Sequence, residues 1–212
     1  PTLRKHGLHC AMTKVHEPNH PESWARPAEH DKLVGYFTDV IPQVANAGFQ
    51  NLICLSGNAR GLSKEQGLEN CALGLKRIMA LAERHRVTIC LELLNSKVNH
   101  KDYLADSTAF GVELMQRVGS ERFKLLFDIY HMQIMEGNVI ATIQAHHRHF
   151  AHYHVAGVPG RHEPDETQEL NYAAIMRTIA GTGYQGHVAF EYSPSRGDHL
   201  GSLRRAMEIC DA

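Results

Sequence analysis

Val87-Thr88-Ile89-Cys90-Leu91-Glu92 is the stretch that decides the fold class. A run of β-branched and apolar residues this short, with no polar alternation, reads as a strand buried on both faces of a parallel sheet. It ends on a carboxylate, which a buried strand does not carry without cause. Working outward, the same kind of run recurs on both sides. Before it lie Leu8-His9-Cys10-Ala11-Met12 and Leu52-Ile53-Cys54-Leu55. After it lie Lys124-Leu125-Leu126-Phe127-Asp128, His152-Tyr153-His154-Val155-Ala156 and His187-Val188-Ala189-Phe190-Glu191.

Helical patterns fill the intervals. Ala28 to Asn46 is stopped by Gly48. Ser63-Lys64-Glu65-Gln66 opens a helix to about Arg86 with a capping-box pattern. Asp106-Ser107-Thr108 caps a helix that runs to about Val118 and is ended by Gly119. Asn138 to about Phe150, Asn171 to about Thr182, and Gly201 to Cys210 are expected to be helical as well.

Alternating strands and helices with short connections form either an open doubly wound sheet or a closed barrel. The glycine-rich phosphate loops that accompany many open sheets are missing: there is no GxGxxG and no GxxxxGK[ST]. The expectation is therefore α/β, a TIM-type (β/α) barrel in one domain over residues 1–212, with six strands recognised. A complete barrel has eight strands and about 250 residues, so the first two βα units are expected to be lacking. Such a gap exposes strand edges. Either another copy of the chain covers it, giving a homo-oligomer, or rearranged strands narrow it, or the native barrel is longer at its start.

Glu92, Asp128, His154 and Glu191 share one feature. Each is a metal-capable residue near the C-terminal end of a predicted strand, and the four strands are consecutive. In a barrel those ends form the active-site face. Three carboxylates converging with one imidazole repel one another without a cation, and oxygen-rich ligation with one nitrogen suits Mg²⁺ or Mn²⁺. His131 lies three residues past Asp128, within reach of a substrate oxygen. His152 faces the same side of its strand as His154 but deeper, and reads as structural. The turn-rich, charged loop Gly157 to Asp165 is placed to close over a substrate and to offer Arg161 to an oxyanion.

Composition narrows the classes further. The 212 residues carry 43% hydrophobic residues and a net charge of −1. Nothing in that balance advertises nucleic acid, which usually calls for a basic face. Metal-dependent phosphodiester cleavage, the rival chemistry for a metal-bearing barrel of this kind, is disfavoured on the same ground. Five scattered cysteines without CxxC spacing read as reduced thiols of a cytoplasmic protein. No apolar run is long enough for a membrane span. Because the first residue is Pro1, an export signal further upstream would lie outside this sequence.

Leu91-Glu92-Leu93-Leu94-Asn95, Phe127-Asp128-Ile129-Tyr130-His131-Met132-Gln133, His154-Val155-Ala156-Gly157 with Pro159-Gly160-Arg161-His162-Glu163-Pro164, and Phe190-Glu191-Tyr192 resemble the hydroxypyruvate isomerase family. That family belongs to the xylose isomerase-like TIM barrels, with ketose 3-epimerases as cousins. The resemblance covers essentially the whole chain and is most specific from Glu92 onward. It implies two catalytic glutamates, Glu92 and Glu191, which are also metal ligands, with Asp128 as a third. It implies substrate contacts from His131 and Arg161. His154 stands where known hydroxypyruvate isomerases have Gln and the epimerases have His. The implied function is isomerisation of a small hydroxy-carbonyl compound, such as hydroxypyruvate to tartronate semialdehyde, through a cis-enediolate. The alternatives are a ketose 3-epimerase on the same scaffold and a barrel fragment without turnover.

Overall fold

The computed structural model describes residues 2–14 and 23–211. After a four-residue helix α1 (Thr2–Lys5) and a 3₁₀ turn (Pro27–Glu29), the elements run in strict alternation through the first half. They are α2 (His30–Asn46), β1 (Asn51–Cys54), α3 (Lys64–His85), β2 (Thr88–Glu92), α4 (Thr108–Val118) and β3 (Phe123–Asp128). Then follow α5 (Ile129–Met135), α6 (Val139–His146), β4 (Phe150–Val155), α7 (Tyr172–Gly181), β5 (Val188–Phe190) and α8 (His199–Cys210). The strands form one parallel sheet in sequence order, β1 to β5. Every residue of β2 is buried, as its uninterrupted apolar run requires.

The local signals act as read. Ser63 and Gln66 form a reciprocal capping box on α3. The Ser107 side chain caps α4, and Gly119 ends it in the left-handed conformation at φ 71°. Three expectations need correction. The first strand, Leu8 to Met12, is absent: Gly7 turns the chain at φ +64° and Leu8 is exposed, so the backbone pairs with β1 only at Thr13, in a single parallel bridge to Leu52. The helix placed from Asn138 to Phe150 stops at His146. A 3₁₀ turn follows, and Phe150 already begins β4, buried against Phe127 at a ring-centroid distance of 4.6 Å. Helix α5 was not anticipated. It starts without a break after β3 because Asp128 ends the strand and also caps the helix, accepting from the His131 backbone N–H at 3.1 Å.

The sheet is curled into a half-barrel; α2, α3 and α4 pack in succession, as do α5, α6, α7 and α8. Close approach needs small residues on the helices. A Cβ added at Gly74 of α3 would lie 2.7 Å from the Trp24 ring and 2.8 Å from His30 Nε2. Both neighbours are buried, and His30 is held by the Trp24 carbonyl at 2.9 Å. In an exposed helix Gly→Ala gains about 1 kcal/mol. Here overpacking costs about 1–3 kcal/mol, so Gly74→Ala is expected to destabilise the protein, read as a lower urea midpoint at unchanged slope. No described helix is long and apolar enough to cross a membrane.

Candidate metal centre

Strand alternation sets the concave face. Asp128 pairs with His154, His154 with Ala189, and Glu92 with Leu126, so Glu92, Asp128, His154 and Glu191 all point the same way. They do not lie at one height. Glu92 is level with Leu126, two residues below Asp128, while Glu191 lies two residues above Ala189. The longer glutamate side chains span that stagger, one from below and one from above.

The result is a cluster in which one ligand atom from each residue lies within 4.8 Å of the others. In a flat sheet β2 and β5 would stand roughly 14 Å apart, three intervals of about 4.8 Å. The curl of the sheet therefore makes the site. His154 Nδ1 is at its centre, 3.2 Å from Glu92 Oε1, 3.3 Å from Glu191 Oε2 and 3.7 Å from Asp128 Oδ2.

That geometry tests the fit of a cation. His154 Nδ1 is buried among three carboxylate oxygens, yet makes no hydrogen bond of acceptable angle among the described residues. A ring nitrogen aimed at a point shared with three carboxylates is a ligand arrangement: a proton occupies that point when no cation does, and a cation would replace it. Bonds of about 2.1 Å to an octahedral cation place ligand atoms roughly 3.0–4.2 Å apart, close to the spacings here. The donor set of three carboxylates and one nitrogen suits a divalent cation.

The electrostatics are uneven. Burial raises Glu92 above the ordinary carboxylate range, against the pull of His154. Glu191, nearly half exposed, is pushed the other way, to about 2, because His154 and Arg161 outweigh the desolvation it suffers. Burial acts to lower His154, but Asp128, Glu191 and Glu92 around the ring more than offset it and push it up to about 11. Burial lowers His131 to about 4, with Asp128 opposing, so its ring is neutral at physiological pH.

The other residues singled out from the sequence fall around this cluster. His131 is fully buried, with Nε2 3.7 Å from Asp128 Oδ2. Arg161 donates to Glu191 Oε2 and lies 5.6 Å over the Tyr130 ring. His152 is buried below His154, ring edge to face at 5.2 Å. The loop from Gly157 to Asp165 is pinned rather than free. Glu163 is buried and accepts from Ser195 N–H at 2.9 Å and Oγ at 3.1 Å, and Arg161 O accepts from Ser193 N–H at 2.9 Å. A cleft of about 510 Å³ opens beside the cluster, lined by Lys14, Arg60, His100, Arg161, Glu92 and Glu191. Asn95, Tyr130 and Glu163 were not picked out as functional from the sequence. Asn95 offered a signal: a polar side chain three residues past a buried strand, on the same rim as the cluster.

The profile of the family described as "Xylose isomerase-like TIM barrel" matches residues 2–211. A protein of Danio rerio named "Putative hydroxypyruvate isomerase" is 32% identical over 145 residues, covering 64% of this chain and 52% of that protein. The 2-oxo-tetronate isomerase of Cupriavidus necator is 34% identical over 134 residues, covering 63% of this chain and 49% of that one. The chain thus spans about half the length of the curated relatives it matches. Among solved structures, an AP endonuclease, family 2, from Brucella melitensis superposes with a TM-score of 0.85 at 27% identity, over 95% of this chain and 78% of that one.

Proposed function

The chain belongs to the xylose isomerase-like TIM barrels, and from that premise we propose that it is a metal-dependent isomerase of a small hydroxy-carbonyl compound, of the hydroxypyruvate or 2-oxo-tetronate kind. The observation that carries the reading is the convergence of Glu92, Asp128, His154 and Glu191 at one point beside an open cleft. The names of the relatives from Danio rerio and Cupriavidus necator support the reaction class.

Glu92, Asp128, His154 and Glu191 would hold the cation. When bound it supplies Lewis acidity, which polarises a carbonyl and acidifies the neighbouring C–H. The protein's own groups then move the proton. Glu191, ionised and paired with the Arg161 guanidinium, is suited to remove the proton from the hydroxyl-bearing carbon, leaving a cis-enediolate. Glu92, on the opposite wall and raised above the ordinary carboxylate range by burial, is suited to return one to the adjacent carbon. Arg161 and the neutral His131 orient substrate oxygens. A second reading, epimerisation, draws on His154: imidazole at this position accords with the epimerase branch of the resemblance. In that case the proton returns to the carbon it left, from the opposite face.

The test is direct. In D₂O with Mn²⁺, hydroxypyruvate is expected to take up deuterium and give tartronate semialdehyde, followed by NMR. No exchange with any hydroxy-keto acid or ketose offered would rule out both readings. Exchange at a ketose carbon with inverted configuration would select the epimerase. Independently of turnover, Mn²⁺ or Mg²⁺ should raise the melting temperature and EDTA should reverse the rise. A ligand at a hundred times its Kd stabilises by about 2.7 kcal/mol, and an unchanged Tm at millimolar metal would remove the metal from the proposal.

A further inference from the structure

Asn95 is fully buried just past the end of β2. Its side-chain oxygen accepts the backbone N–H groups of Val98 at 3.0 Å and Asn99 at 2.8 Å, which settles which end of the amide is oxygen. The amide nitrogen therefore faces Asn99 Oδ1 at 2.8 Å and His131 Nδ1 at 2.6 Å. The Asn95 backbone N–H points at the same His131 Nδ1, at 3.2 Å. Two donors on one ring nitrogen leave no place for a proton there. A neutral imidazole then carries its hydrogen on Nε2. That atom is buried, has no hydrogen-bond partner among the described residues, and sits 3.7 Å from Asp128 Oδ2 at the edge of the cluster. A buried donor left unpaired is rare in a native fold and calls for a cause.

We propose that Asn95 is a positioning residue that holds His131 in the Nε2–H tautomer. The ring then presents a standing donor, not a base, to an oxygen of the ligand bound at the cluster. The identity of that ligand as a hydroxy-carbonyl compound rests on the isomerase reading; the tautomer does not. A donor in this place favours a carbonyl or hydroxyl oxygen and penalises a ligand with a methyl or amino group there, which leaves the N–H unsatisfied. The same short loop reaches the second proposed contact. Asn99 Oδ1 also accepts from Tyr130 Oη at 2.8 Å, and the Tyr130 ring lies under the Arg161 guanidinium. Residues 95–99 thus set both polar contacts from one element.

The decisive measurement is long-range proton–nitrogen NMR on protein carrying isotope-labelled histidine, near neutral pH, metal-free and with saturating Mg²⁺. His131→Gln identifies the signals. A protonated Nε2 and an unprotonated Nδ1 on His131 are expected in the native protein, and mixed tautomers in Asn95→Ala. That variant should also lose kcat/KM by roughly tenfold while its Mg²⁺ affinity stays unchanged. A native Nδ1–H tautomer or an imidazolium overturns the proposal, as does an Asn95→Ala protein whose His131 spectrum is native. If Asn95→Ala does not fold, the native spectrum still decides the tautomer. If the native protein shows no turnover but the expected tautomers, the isomerase reading fails and the role of Asn95 stands.

Discussion

Glu191→Gln is expected to lower kcat by about 10²–10⁴-fold, the range that removal of a general base produces, while the protein still folds. Gln keeps the shape of the side chain and loses its basicity and charge. Glu191 lies just past β5, nearly half exposed, and no described strand pairs with the outer side of β5, so little packing depends on it. Its carboxylate is held down to about 2, desolvation notwithstanding, by His154 and Arg161. It is therefore ionised throughout the neutral range, the form a base needs, although the groups that hold it down also make it a weaker base. Removing it leaves Arg161 without its carboxylate partner and leaves the cluster one negative charge short. Solvent-deuterium exchange into the substrate is the most sensitive readout, because it reports proton removal even when product release is slow. Glu92→Gln should also fall by orders of magnitude, for a different reason. The neutral amide keeps the shape and avoids the charge that burial penalises, so the fold tolerates it, but it delivers no proton. A Glu191→Gln protein that exchanges deuterium at near-native rate would show that this glutamate carries no proton.

The second large effect is expected at Asp128, where two functions can be separated. One carboxylate oxygen caps α5 through the His131 backbone N–H at 3.1 Å; the other faces His154 Nδ1 at 3.7 Å. Asp128→Asn keeps an oxygen for the cap and gives up the charge. Its metal affinity should fall by roughly 100-fold or more, since loss of outer-shell partners alone costs about 10–100-fold, with metal-free stability close to native. Asp128→Ala removes both oxygens. It should lose the metal equally and also about 0.5–2 kcal/mol of stability, as cap removal generally does. Titration calorimetry with Mn²⁺, set beside urea denaturation without metal, separates the two. Metal affinity that survives in Asp128→Asn would show that the cluster is not the metal centre.

What the sequence by itself determined is local in origin. The buried runs from Leu52 onward announce parallel strands because each side chain in them meets apolar neighbours on both faces. Ser63 with Gln66, and Ser107 with Gly119, mark helix ends through bonds made within one turn. The four metal-capable residues at successive strand ends are visible because strand ends line up on one rim of a parallel sheet. Tertiary structure decided what depends on distant partners. The expected strand at Leu8 to Met12 shrinks to one bridge at Thr13, since pairing requires a register that composition does not encode. The shift between Leu125 and Leu126 sets Asp128 level with His154. Curl brings Glu92 and Glu191 to one nitrogen from strands that a flat sheet would hold far apart. Burial raises Glu92, while His154 and Arg161 outweigh burial at Glu191 and lower it, which no sequence motif distinguishes, because both effects belong to the surroundings. The tautomer of His131 likewise depends on Asn95, thirty-six positions earlier, which only the fold sets against its ring.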